Sequence, residues 1–95
     1  MTRRVEFRLA ARADIRRFEK FLKKLSERAA ARRVGWLETQ VLSLGSNPRR
    51  GQEVGRNTYL LVLRYDRARY IVRYRVTDTA VVILRIWHGK ENRPR

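Results

Sequence analysis

The chain has no cysteine, one histidine and two prolines, and only nine acidic residues stand against 24 lysines and arginines. Each scarcity closes off a chemistry. Without cysteine there is no disulfide framework, no thiolate nucleophile and no cysteine metal site. With His88 alone, a multi-histidine zinc centre is excluded as well. No apolar run approaches the length that spans a bilayer, and Met1-Thr2-Arg3-Arg4-Val5-Glu6 lacks the apolar core of a secretory signal. A cytoplasmic protein with no membrane association, no metal and no other cofactor is the expectation.

What is abundant is arginine, which supplies 20 of the 24 cations and brings the net charge to +15 over 95 residues. Its planar donor fork suits bidentate contact with phosphate and carboxylate, so the composition points to a polyanionic partner. An arginine-rich proteome is the plainer account of the same bias. At 43% hydrophobic residues the chain can still bury a modest core, and its length fits a single domain over 1–95.

The pattern along the chain changes period twice. Val5, Phe7 and Leu9 alternate with Arg4, Glu6 and Arg8 as in a short strand. From Ala13, Ile15, Phe18, Leu22 and Leu25 recur at steps of three and four, predicting an amphipathic helix with Phe21 widening its stripe. Ser26 is placed to cap a second helix carrying Ala30, Val34, Leu37, Val41 and Leu44 on one face, stopped by Gly45-Ser46-Asn47-Pro48. The break between the two is so short that they must fold back on each other.

Pro48 to Asn57, rich in glycine and arginine, reads as a loop. Three strands follow: Tyr59 to Tyr65, Arg69 to Val76 and Val81 to Trp87, separated by turns at Asp66-Arg67-Ala68 and Thr77-Asp78-Thr79. In the middle strand Tyr70, Val72, Tyr74 and Val76 form a core row, while Arg69, Ile71, Arg73 and Arg75 form a mostly cationic one. The last strand is apolar on both faces and so belongs in the centre of the sheet. The predicted architecture is α+β, β-α-α-β-β-β, with a helical hairpin packed on one face of a small, mainly antiparallel sheet and the other face open.

Three pieces in this order resemble the RelE/ParE superfamily of bacterial type II toxins. They are the Ala13-Asp14-Ile15 start of the first helix, the Pro48-Arg49-Arg50-Gly51 turn after the second, and the final hairpin from Tyr70-Ile71-Val72-Arg73-Tyr74 to Ile86-Trp87-His88-Gly89. The resemblance implies a small toxin neutralised by a cognate acidic antitoxin, with either of two targets. RelE-like members cleave messenger RNA on the ribosome. ParE-like members inhibit DNA gyrase and carry no established hydrolytic site.

Several positions side with the ParE-like group. Ile71 stands where the RNA-cleaving pattern has an arginine after the first tyrosine of the hairpin, and Leu60, Val62 and Arg64 occupy the strand in which RelE-like members place lysines. A C-terminal catalytic tyrosine has no counterpart, and the ending His88-Gly89-Lys90-Glu91-Asn92 is closer to ParE-like tails. The expected target-binding residues are therefore Arg64, Arg73, Arg75, Arg85, Lys90 and Arg93, for gyrase and possible DNA contact. Arg12, Arg16, Lys20 and Lys23 on the first helix are the antitoxin-binding candidates, their plainer role being solvation of a helix face.

If the chain were instead a ribonuclease acting on the ribosome, His88 would be the acid or base, with Arg73 and Lys90 as phosphate clamps. The plain account of His88 is that it ends a strand beside Trp87. Trp87, Tyr70 and Tyr74 are expected in the core, with Tyr65 exposed at its turn. A non-toxic basic nucleic-acid-binding module is a third reading, although no helix-turn-helix, zinc finger or RNA-binding sheet motif is present.

Overall fold

A computed structural model describes residues 2–89. The chain runs through β1 (Arg4–Phe7), α1 (Leu9–Lys23), α2 (Glu27–Leu42), one 3-10 turn (Ser43–Gly45), β2 (Gln52–Gly55), β3 (Thr58–Tyr65), β4 (Ala68–Val76) and β5 (Ala80–His88). The strands form one sheet in the order β1-β5-β4-β3-β2. β1 is parallel to β5, and every other pairing is antiparallel. The doubly apolar last strand is therefore flanked on both sides, as its composition requires.

The helical hairpin covers one face. Phe18 from α1 and Leu37 and Val41 from α2 pack with Leu61, Leu63, Val72, Val81, Ile83 and Ile86 from the strands, and Val5 and Phe7 of β1 close the edge. Tyr70 and Tyr74 are fully buried at its centre. Phe18 meets the Tyr70 ring edge-on at 5.3 Å, and Tyr59 stacks on Tyr74 at 5.4 Å. The Tyr74 hydroxyl donates to the Pro48 carbonyl (2.8 Å) and accepts from the Gly51 N–H (2.9 Å). That pair of bonds explains the Pro-x-x-Gly turn: a Cβ on Gly51 would lie 2.6 Å from the Leu60 carbonyl oxygen and 2.8 Å from the Tyr74 hydroxyl. Ser26 caps α2 by accepting from the Ala29 N–H at 3.1 Å.

Four expectations are corrected. α1 begins at Leu9 and not at Ala13, so β1 ends at Phe7. Leu9-Ala10-Ala11-Arg12-Ala13 is strongly helix-forming, which outweighs one further step of strand alternation, and Leu9 is left 83% exposed. Leu25 falls in the interhelical turn beyond Lys23 and is exposed instead of lying on the apolar stripe. Part of the Pro48–Asn57 segment is a strand: β2 pairs with β3 through a two-residue turn in which Asn57 adopts a left-handed φ of 55°. An edge strand exposed at all four residues shows no apolar signature. Tyr65 is half-buried, edge-on to Trp36 at 4.9 Å. Among the described residues no helix is long and apolar enough to cross a membrane.

Candidate functional site

Strand register determines which side chains share the uncovered face, the one on which no described helix lies. Arg64 stands opposite Arg69, Val62 opposite Ile71 and then Trp87, Leu60 opposite Arg73 and then Arg85, and Thr58 opposite Arg75 and then Val82. Because side chains alternate along a strand, all of these point away from the residues that bury Tyr70, Val72 and Tyr74. The face is thus a short apolar row with arginine on either side of it. Arg64, Arg69, Arg73 and Arg75 are exposed, and no hydrogen bond or ion pair ties their side chains to another described residue. Ile71 and Trp87 are buried within the row, while Val62 is 47% exposed.

Arg85 stands in a different environment. The β4–β5 register slips between Arg73 and Tyr74, and at this irregularity α1 brings the carboxylate of Asp14 against β5. Asp14 is 1% exposed. Its Oδ1 accepts from Arg17 Nη1 (2.7 Å) and Arg85 Nη2 (3.1 Å), and its Oδ2 from Arg85 Nε (2.9 Å) and the Ile86 N–H (2.8 Å). β1 covers the outer edge of β5 only as far as Ile83, whose carbonyl accepts from the Arg8 N–H, and Asp14 takes over at Ile86. Burial alone would raise the Asp14 pKa, but the hydrogen bonds from Arg85, Ile86 and Arg17 outweigh it and hold the carboxyl below its ordinary value. The Arg85 guanidinium also lies 5.3 Å from the centre of the Trp87 ring.

Asp14 was legible in the sequence only as part of a helix start. A sharper signal was available: Ala11, Asp14, Phe18 and Leu22, the buried residues of α1, follow steps of three, four and four. An acid on the apolar stripe of a basic helix calls for a cationic partner from the sheet.

His88 pairs with Tyr70 and so lies on the helix-covered side, its ring edge-on to that tyrosine at 5.4 Å. Arg73 points to the other side of the sheet. The structure therefore does not bring together the histidine and arginine of the ribonuclease set, and its third member, Lys90, lies outside the described residues along with Arg93. Arg12, Arg16, Lys20 and Lys23 are all exposed on α1, Arg12 with its guanidinium 5.0 Å from the Phe7 ring centre. The same helix borders a cavity of about 510 Å³ walled by Phe18, Phe21, Leu22, Leu25 and Tyr70, with Arg17, Arg33 and His88 also lining it. Arg33 donates to the Tyr70 hydroxyl (3.1 Å) and covers the Tyr65 ring at 4.1 Å. Among the described residues no three His, Cys, Asp or Glu side chains gather where a metal ion could be held.

Residues 5–93 match the model of a protein family described as the ParE toxin of the type II toxin-antitoxin system, parDE. The chain belongs to this family. It is 37% identical over 93 residues to Toxin RelE1 of Caulobacter vibrioides, an alignment that takes in 98% of this chain and all of that one. The fold of this ParE-family toxin is also that of a solved chain from a chromosomal ParDE toxin-antitoxin system of P. aeruginosa, with a TM-score of 0.71 at 23% identity over 90% of this chain and 94% of the other. The RelE/ParE resemblance and the α+β architecture with its helical hairpin on one face of the sheet both hold, with β2 as an added strand.

Proposed function

We propose that this toxin is a ParE-like inhibitor of DNA gyrase, acting by binding and not by hydrolysis, and held inactive by a cognate acidic antitoxin. The observation that carries the reading is the separation of His88 from Arg73 and Arg75 by the thickness of the sheet. Metal-free RNA cleavage needs a proton donor or acceptor beside the cations that hold the phosphate. Here the histidine packs on Tyr70, while Arg73 and Arg75 stand on the far side. A face of exposed arginines beside a short apolar row is suited to holding a target. Arg64, Arg73 and Arg75 are its primary contacts, with Arg85 contributing from its position against Asp14 and Trp87.

On the other side of the molecule, Arg12, Arg16, Lys20 and Lys23 would receive acidic side chains of the antitoxin. The cavity bordered by Phe21, Leu22 and Leu25 on the same helix would receive apolar ones. An acidic segment that orders on binding fits both chemistries and offsets the self-repulsion of a chain with net charge +15.

The test compares two assays on purified toxin: gyrase supercoiling of plasmid, and primer extension on messenger RNA bound to translating ribosomes. Loss of supercoiling with intact message, retained in a His88→Ala variant, is the expected result. Cuts at A-site codons with normal gyrase would replace this reading with the ribonuclease one.

A further inference from the structure

We propose that the uncovered face of the sheet grips the phosphate backbone of duplex DNA, through Arg64, Arg69, Arg73 and Arg75. The inference rests on the reading of this face as the target-binding surface and names what it touches first. Charge selects a polyanion. The four arginines lack a carboxylate partner among the described residues, and Glu6, an acid on the same face at β1, is engaged by Arg4 at 2.7 Å. Spacing suits a backbone. Arg73 and Arg75 are two residues apart on β4, about 7 Å along the strand, which is close to the step between successive phosphates of one nucleic-acid strand. Arg69 continues the same line beyond Ile71, and Arg64 stands beside it across the β3–β4 ladder.

Two further observations narrow the class. The exposed apolar surface in the central row is Val62, since Ile71 and Trp87 are buried, and that is too little to anchor an amphipathic protein segment. The aromatics offer little exposed ring: Tyr59, Tyr70 and Tyr74 are in the core, and Trp87, although on this face, is only 4% exposed. Sheet surfaces that take single strands present aromatic rings on which unstacked bases lie. This face presents cations without such a platform, so it can hold phosphates but has nothing to receive a splayed base. A duplex, whose bases remain stacked on each other, asks for nothing more.

The experiment is fluorescence anisotropy of a short, labelled, random-sequence DNA duplex with the full-length protein, titrated between about 50 and 200 mM salt. The variants are Arg73→Ala/Arg75→Ala on the sheet and Lys24→Ala/Arg28→Ala at the helical hairpin turn, which remove the same charge. The expected result is that the sheet variant binds at least about tenfold more weakly and loses about two from the slope of log K against log salt, while the hairpin variant keeps the wild-type slope. A second expectation is weaker binding of a single strand carrying the same number of phosphates. Equal losses in the two variants would reduce the effect to net charge and overturn the inference, and so would preference for the single strand. Supercoiling assays on the same preparations separate the two claims. A sheet variant that keeps wild-type DNA affinity, from a toxin that inhibits gyrase, would overturn this inference alone, whereas duplex binding as expected by a wild-type protein that leaves gyrase untouched would overturn only the gyrase reading.

Discussion

This sheet uses arginine in two opposite ways. Where α1 meets β5, Arg85 and Arg17 converge on one buried carboxylate, and the charge is consumed in holding a helix to a strand. On the uncovered face, Arg64, Arg69, Arg73 and Arg75 are exposed and meet no acid among the described residues. Arg85 and Arg73 are cross-strand neighbours, so their difference does not come from position in the sheet. It comes from Asp14, one acid delivered by a helix to the single place where the β4–β5 ladder slips. The α1–β5 junction is therefore sensitive to loss of charge in its stability, and the exposed arginine row in its binding.

The sharpest way to break this contrast is to remove Asp14. Asp14→Ala takes the buried carboxylate from Arg85, Arg17 and the Ile86 N–H, and an expected loss of about 3–5 kcal/mol is measurable by urea denaturation. Asp14→Asn should cost less, because an amide oxygen still accepts from Ile86. The same residue sets an acid limit. Its folded-state pKa lies below the unfolded value of 3.8, so its contribution is fully present above that value and is lost as pH falls through the lower, folded one. Denaturation midpoints followed below about pH 4 should therefore show an acid-dependent loss in the wild type that is missing in Asp14→Asn.

Next in size is Tyr74→Phe. The ring keeps its stacking on Tyr59, but the Pro48 carbonyl and Gly51 N–H each lose their partner, at an expected cost of about 1–3 kcal/mol in thermal or chemical unfolding. Burial pushes the Tyr74 phenol up from its ordinary pKa, which outweighs the opposing pull of the Gly51 N–H and keeps the hydroxyl available as a donor at neutral pH.

How far the sequence already carried these features depended on whether a residue's partners were near in the chain. The β4 and β5 hairpin was legible because Tyr70, Val72, Tyr74 and Val76 alternate with the mostly cationic row Arg69, Ile71, Arg73 and Arg75, and the doubly apolar β5 asked for neighbours on both sides. β2 was not, since an edge strand needs only backbone pairing and leaves all four of its residues exposed to water. The arginine face was legible as a row on β4, but its two-sided layout required the register with β3 and β5. The Asp14–Arg85 pairing spans 71 positions, and no local pattern specifies a contact at that distance. His88 was the instructive case: a lone histidine near a cationic strand suggests a catalytic pair, yet one step of strand alternation puts it on the other side from Arg73.

The smallest effect on stability, and the most informative about the uncovered face, is expected for Arg73→Ala/Arg75→Ala. Both side chains are exposed and make no described hydrogen bond or ion pair, so the double change should move stability by no more than about 0.5 kcal/mol. Removing two like charges from a chain at +15 relieves repulsion and pushes slightly in the favourable direction. Growth of cells expressing the variant without antitoxin should nevertheless recover, because the face that holds the target has lost the centre of its cationic line. An unfolded double variant would show that these arginines support the fold as Arg85 does, and the distinction between the two uses of arginine would collapse. Recovery of growth with an unchanged melting curve separates binding from folding at the same two residues, which the Asp14 variants cannot do.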